Sequence, residues 1–255
     1  MDELELLVEL HVDADRQGPG SPTDLDLAAG LAGLDSGRSA ARGPDIIDIG
    51  CGTGASTIQL AEKFNAKVTA VDLFPQFLER LEARASAGGL ADQITTIEGD
   101  MTDLPFPDAS FDVVWSEGAV YNMGFAAGVA AWKRLLRPGG VMVLSEITWL
   151  TSTRPAEIDE HWNREYPEID TAAAKISILE NNGLSLRGFF VLSEAGWEEH
   201  YYQPLEGRLN SFLARHADSA IASDIVDGER REIKLFRTYR DFFGYGVYVA
   251  ALETD

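Results

Sequence analysis

Short apolar runs alternate with helical stretches through the middle of the chain. The runs cover 45–49, 67–72, 94–98, 111–115 and 141–145, each rich in β-branched or aromatic residues. Helical spacing of apolar positions fills 55–64, 76–87 and 126–136, and Arg137-Pro138-Gly139-Gly140 reads as the stop that closes the last of these. This alternation predicts βαβ units, an α/β fold with a mostly parallel sheet and helices on both faces. Two further strands are expected at 186–192 and 246–252, separated by a stretch rich in aromatic and charged residues, 193–242. Upstream, Leu4, Leu7, Val8 and His11 or Val12 suit a short helix over 2–12, followed by the breaker-rich Arg16-Gln17-Gly18-Pro19-Gly20-Ser21-Pro22. A second helix is expected over 24–34, and 36–44 reads as the linker into the core. Single cores stop growing at roughly 250–300 residues, so 255 residues fit one decorated domain.

Charge narrows the partners. Asp and Glu number 42 against 21 Lys and Arg, a formal charge of −21 spread along the chain without a basic patch. Such a field repels phosphate backbones and anionic leaflets, so neither nucleic acid nor a membrane is expected as a partner. The basic set is 16 Arg and 5 Lys, and an acidic, Lys-poor surface is either ordinary solubility charge or an adaptation to salt. The lone Cys51 leaves no intramolecular disulfide and no thiolate-rich metal site. His11, His161, His200 and His216 contain no helical i, i+4 pair, so no metal is expected. The start, Met1-Asp2-Glu3-Leu4-Glu5-Leu6, is acidic where a secretory signal is basic, and no apolar run approaches the ~18 residues of a membrane span. The expectation is a cytoplasmic protein, with a homodimer left open.

The chemistry concentrates where strand meets helix. In Asp48-Ile49-Gly50-Cys51-Gly52-Thr53-Gly54 the glycines allow close backbone approach to a ligand, and the following helix presents unpaired N–H groups. Gly50-x-Gly52-x-x-Ala55 also satisfies the looser dinucleotide fingerprint, so the loop alone is ambiguous. Three carboxylates narrow it. Asp48 lies two residues before Gly50, where it suits an ammonium group and would repel a pyrophosphate. Asp72 closes the second strand 22 residues after Gly50, the place for an acid on both ribose hydroxyls. Gly99-Asp100-Met101 closes the third strand 28 residues later, where a carboxylate can meet an adenine amine and Met101 can lie on the ring. Together they outline a ligand with an amino acid at one end and adenosine at the other.

With those motifs the chain resembles the class I S-adenosylmethionine-dependent methyltransferases, in the style of the small-molecule enzymes of ubiquinone and menaquinone biosynthesis. The matching segments also include Val71-Asp72, Asp103-Leu104-Pro105-Phe106-Pro107-Asp108-Ala109-Ser110-Phe111-Asp112 and Leu135-Leu136-Arg137-Pro138-Gly139-Gly140, in the family's order over 44–147. The segments 16–22, 115–122 and 154–158 look like an uncharacterised bacterial and archaeal subgroup. The resemblance implies a doubly wound, Rossmann-like, seven-stranded sheet whose last strand is antiparallel. It implies a helical cap over 1–43, a cofactor core over 44–147 and substrate-side segments over 148–255. It places S-adenosylmethionine on Asp48, Gly50, Gly52, Gly54, Asp72, Leu73, Gly99, Asp100, Met101 and Ser116, and a small-molecule acceptor beside it, with S-adenosylhomocysteine as product.

Methyl transfer needs alignment, exclusion of water and sometimes removal of a proton. The catalytic candidates are Glu117, just past the fourth strand, Tyr121 and His200, with Asn122 and His161 beside them. Each has a plainer account: a structural hydrogen bond for Glu117, packing for Tyr121, a surface position for the histidines. Trp149, Trp162, Tyr166, Trp197, Tyr201 and Tyr202 wall a substrate pocket or form a hydrophobic seam. Gly18-Pro19-Gly20 is a lid or a rigid turn, and Cys51 a small spacer. The competing functions are a nicotinamide-dependent oxidoreductase, against which Asp48 and Gly99-Asp100 count, and a cofactor-binding regulator without catalysis.

Overall fold

The computed structural model describes residues 1–34 and 43–254. Two helices, α1 (Glu3–His11) and α2 (Pro22–Ala32), precede the core elements β1 (Asp45–Ile49), α3 (Ala55–Phe64), β2 (Lys67–Asp72), α4 (Pro75–Ala87), β3 (Ile94–Glu98), β4 (Phe111–Glu117), α5 (Phe125–Trp132) and β5 (Leu136–Trp149). There follow α6 (Ala156–Glu165), β6 (Asp170–Thr171), α7 (Ala172–Asn181), β7 (Leu184–Val191), α8 (Glu194–Trp197), a π turn over Glu198–Tyr202, α9 (Gln203–Arg215), α10 (Ala220–Tyr239) and β8 (Phe243–Leu252).

The strands form one sheet in the order β3-β2-β1-β4-β5-β8-β7, with the two-residue β6 extending beside the end of β5. All pairings are parallel except those of β8, which runs antiparallel to both β5 and β7. The expected path of seven strands with the last reversed is present, and β6 adds an eighth. Alternate residues feed two cores. Ile46, Trp115, Val143 and Val249 face the layer of α1, α2, α3, α9 and α10, while Ile47, Val114, Leu144 and Tyr248 face α5 and α7.

The boundaries shift where tertiary contacts outweigh local pattern. The stretch 126–136 is shorter as a helix than expected, because α5 ends at Trp132 and a single 3-10 turn over Lys133–Leu135 leads into β5. Arg137-Pro138-Gly139-Gly140 is then the bulged start of that strand, where the register with β4 slips between Phe111 and Val113. β5 runs on to Trp149, nine of its residues being paired with β8. β4 runs on to Glu117, so this residue ends the strand rather than following it. α2 starts earlier, at Pro22, because the Ser21 hydroxyl caps the Asp24 N–H and proline suits the first turn; Gly33 ends it in the left-handed conformation. Most of the linker expected over 36–44 lies outside the described residues.

Candidate functional site

β1 delivers the glycine loop to the carboxyl edge of the sheet. The Gly50 and Cys51 N–H groups donate to the Val71 carbonyl at 2.8 and 3.1 Å, which folds the loop over the end of β2. Gly50 has φ +74°, and a Cβ there would lie 2.4 Å from that of Ala119. Gly52 has φ +54°, and a Cβ there would strike Gln17 Oε1 at 2.1 Å. Gly50 therefore requires glycine for conformation and for space, and Gly52 for its conformation. Gly54 caps α3 and packs on Leu81 instead.

The loop floors a cavity of about 580 Å³, within the size range of small-molecule sites. Gly50, Gly52, Asp72, Leu73, Gly99, Asp100 and Met101 of the expected cofactor set line it. Asp72 is braced for a ligand: its Oδ2 accepts from the Gly52 N–H at 2.8 Å and its Oδ1 from the Phe74 N–H at 3.0 Å. Burial pushes its carboxyl up, and these N–H groups oppose the shift. Asp100 Oδ1 accepts from the Thr102 N–H and hydroxyl at 2.8 and 2.7 Å, which holds its carboxyl low and leaves Oδ2 for a ligand.

Two of the expected cofactor residues stand behind the cavity. Asp48 is 2% exposed and accepts from Thr57 Oγ1 at 2.5 Å. The alternation of β1 that sends Ile47 and Ile49 to one face sends Asp48 under the loop, toward α3. Burial pushes its carboxyl to about 7, the Thr57 bond opposing, with Glu117 and Asp72 adding to the rise. Ser116 Oγ donates to the Ile49 carbonyl at 2.8 Å and ties β4 to β1. Cys51 lines the cavity, and burial beside Asp48 and Asp72 raises its thiol well above the ordinary value, as suits a spacer.

The N-terminal segment roofs the cavity. Gln17 Oε1 accepts from the Thr53 N–H at 2.8 Å, and its amide reaches the His11 and Ala14 carbonyls. Arg16, Gln17, Gly18 and Pro19 all line the space. Arg16 Nη1 donates to Glu117 Oε2 at 2.9 Å, while Glu117 Oε1 accepts from Trp115 Nε1 at 2.8 Å. Glu117 thus faces the cavity with both oxygens engaged. The Gly20 N–H donates to the Gly196 carbonyl at 3.1 Å, and Asp24 accepts from the Ser193 N–H at 3.1 Å and its hydroxyl at 2.8 Å, which anchors the roof to α8.

Tyr121 and Asn122 line the cavity beyond Glu117, with Tyr121 edge-on to Tyr166 at 6.2 Å. His200 lies exposed on the π turn and His161 packs edge-on against Trp162, so neither is brought to the cavity wall. Trp197, Tyr201 and Tyr202 are buried in the seam between α9, α10 and the sheet. Sequence reasoning missed Arg16 as the partner of Glu117; the signal was there in its place just before the Gly18-Pro19-Gly20 turn. It also missed the buried ion pair of Glu146 and Lys175, 3.4 Å apart behind Tyr166, which no spacing announces.

Comparisons with known proteins agree with this geometry. A family profile described as a methyltransferase domain matches residues 46–140. A 27-O-demethylrifamycin SV methyltransferase of Amycolatopsis mediterranei is 34% identical over 124 residues, 48% of this chain and 46% of that protein. A sterol 24-C-methyltransferase of Yarrowia lipolytica is 28% identical over 175 residues, 65% of this chain and 45% of that protein. The chain thus spans less than half the length of these curated relatives. Among solved structures, a SAM-dependent methyltransferase from Geobacter sulfurreducens, in complex with S-adenosyl-L-homocysteine, superposes with a TM-score of 0.82 at 19% identity, covering 96% of this chain and 97% of that one. At that identity the likeness is one of fold.

Proposed function

We propose, from the premise that residues 46–140 belong to the methyltransferase-domain family, that the protein transfers a methyl group from S-adenosylmethionine to a small-molecule acceptor. The whole chain is then one domain, with the roof within residues 1–34 and acceptor-side segments over 148–255. The observation that carries the reading is Asp72: a carboxylate at the end of β2, fixed by two backbone N–H groups, opening on a cavity floored by glycines. The residues fit the cofactor. Asp72 would take the ribose hydroxyls, Asp100 and Met101 the adenine, and the Gly50–Gly52 backbone the methionine part. Asp48 would act from beneath the loop, as a charge rather than as a contact.

When bound, the cofactor would supply an activated methyl on a sulfonium, open to attack by the acceptor in line with the carbon–sulfur bond. The chain's part is to orient and to exclude water. Arg16, Gln17 and the Gly18-Pro19 turn cover the site. Glu117, held between Arg16 and Trp115, positions the roof, and this placement favours a positioning role over a general-base role. His200 and His161 are no part of the reading.

The acid surplus supports a small molecule over nucleic acid as the partner. Among the described residues, no helix is long and apolar enough to cross a membrane. A cytoplasmic location belongs to the proposal on the strength of a single cysteine without a disulfide partner. Calorimetry tests the core claim: the intact protein should bind S-adenosylmethionine and S-adenosylhomocysteine at micromolar concentration, and Asp72→Ala should lose both. No binding by the intact protein would sink it.

A further inference from the structure

Among the described residues that line the cavity, Arg16 is the single cation, set against the carboxylates of Asp72, Asp100 and Glu117. Its side chain is 9% exposed, yet its guanidinium commits only one nitrogen, Nη1, which donates to Glu117 Oε2 at 2.9 Å. Nε and Nη2 meet no acceptor among the described residues, and neither is sealed from solvent. A charged group this deep ordinarily has its donors met, so open ones on a cavity wall call for an anion. Their N–H groups lie side by side on one edge of the plane, the fork that a carboxylate fits.

The strand order β3-β2-β1-β4 narrows which anion it is. Asp100 follows β3 and Asp72 ends β2, so the adenine and ribose of a ligand laid across the sheet lie over those strands. The amino-acid end then lies over β1 and β4. Arg16 stands at that end: it pairs with Glu117, the last residue of β4, and its neighbour Gln17 accepts from the Thr53 N–H of the glycine loop at 2.8 Å. The start of α3 opens there too, with Ala55 and Ser56 on the wall and no side chain capping the helix. A helix N-terminus favours negative charge.

We infer that Arg16 receives the α-carboxylate of S-adenosylmethionine on its Nε and Nη2 edge while Nη1 stays on Glu117. The inference rests on the methyl-transfer reading and adds the partner of the cofactor's one negative group. Without Arg16 that carboxylate would enter a wall of acids uncompensated. This role is separable from the tie between the roof and β4. A tie supports any ligand beneath the roof, whereas a carboxylate receptor discriminates between ligands with and without that group.

Calorimetry with two ligands separates these roles. S-Adenosylhomocysteine and its decarboxylated counterpart, the same thioether keeping the amine, are titrated into wild type, Arg16→Met and Arg16→Gln. Neither ligand binding wild type overturns the methyl-transfer reading itself. Wild type should prefer S-adenosylhomocysteine by about tenfold or more, and in Arg16→Met the preference should shrink below roughly threefold. Arg16→Gln, which keeps a donor for Glu117 and removes the charge, should lose the preference equally, and it decides the matter if the methionine variant does not fold. Equal affinities in wild type, or an undiminished preference in the variants, overturns the inference, since loss of the tie alone weakens both ligands alike. Benzoate probes the other source of a carboxylate, the acceptor. Titrated into protein saturated with S-adenosylhomocysteine, it should treat wild type and variant alike, and binding that needs Arg16 overturns the assignment to the cofactor.

Discussion

Arg16 Nη1 lies 2.9 Å from Glu117 Oε2, an ion pair that fastens the roof to the carboxyl end of β4 across a sequence separation of 101. Arg16 is 9% exposed and Glu117 19%, so the pair is screened less than a surface one. Arg16→Met removes the tie and leaves the Glu117 carboxylate half-buried without its counter-ion. We expect S-adenosylhomocysteine affinity to fall about tenfold, the scale of one charged hydrogen bond. Glu117→Gln keeps an acceptor for Trp115 and should cost less. Calorimetry on both variants checks the order, and equal affinities in wild type and Arg16→Met would refute the role of the tie.

Gly50 and Ala119 meet so closely that the pair can be tested as a unit. Gly50→Ala puts a methyl 2.4 Å from the Ala119 Cβ at φ +74°, and overpacking of this kind costs about 1–3 kcal/mol. Binding should suffer with stability, because the same backbone floors the cavity. Ala119→Gly in the Gly50→Ala background should restore part of the stability by relieving the contact, but not the part due to φ. Urea unfolding of the two single variants and the double variant measures the split.

Asp48 should impose a pH dependence on stability. Its carboxyl is raised from the ordinary 3.8 to about 7 in the folded protein. Below about 4 both states are protonated. Between about 4 and 7 the unfolded chain gives up the proton while the folded one keeps it, so stability falls as pH rises, and the fall ends above 7. Glu232, also raised to about 7 by burial, acts in the same direction. Asp48→Asn should therefore flatten the decline without abolishing it. Melting temperatures at pH 4.5 and 7.5 give the comparison, and an unchanged slope in Asp48→Asn would count against the assignment.

The ion pair behind Tyr166 is sealed from water, with Lys175 1% and Glu146 0% exposed and the ammonium 4.8 Å from the Phe125 ring centroid. Lys175→Met strands a buried carboxylate and should cost about 3–5 kcal/mol. Adding Glu146→Leu removes the stranded charge and should recover most of that loss. If the double variant is as unstable as Lys175→Met, the charge is not what the lysine compensates. Thermal unfolding of both variants decides it.

What the sequence disclosed followed from locality. β1, β2 and β3 lie at their expected bounds because each is a short run fenced by turn signals and paired to its neighbour in a βαβ unit. The Gly50 loop, Asp72, Asp100 and Met101 were legible because strand ends carry them to one edge whatever the side-chain detail. Asp48 shows the limit: its place two residues before the loop was visible, but the pleat that turns it toward α3 and Thr57 depends on the whole sheet. Pro138-Gly139-Gly140 looked like a helix stop, and only the pairing of β5 with β4 and β8 makes it a bulge. Tyr245 stayed hidden as a neighbour of Gly118 because that contact joins β8 to the end of β4, far apart in the chain. Ser21-Pro22, by contrast, was a local start signal for α2 and could have been read.

The antiparallel β8, wedged between β5 and β7, also orders events during synthesis. Until β8 is made, the fourteen-residue β5 is an open, largely apolar margin, and β7 has no strand to join. A nascent chain would carry the glycine loop and Asp72 in place while that margin invites pairing with another copy. Chaperone dependence should accordingly be concentrated in the interval between the emergence of β5 and that of β8.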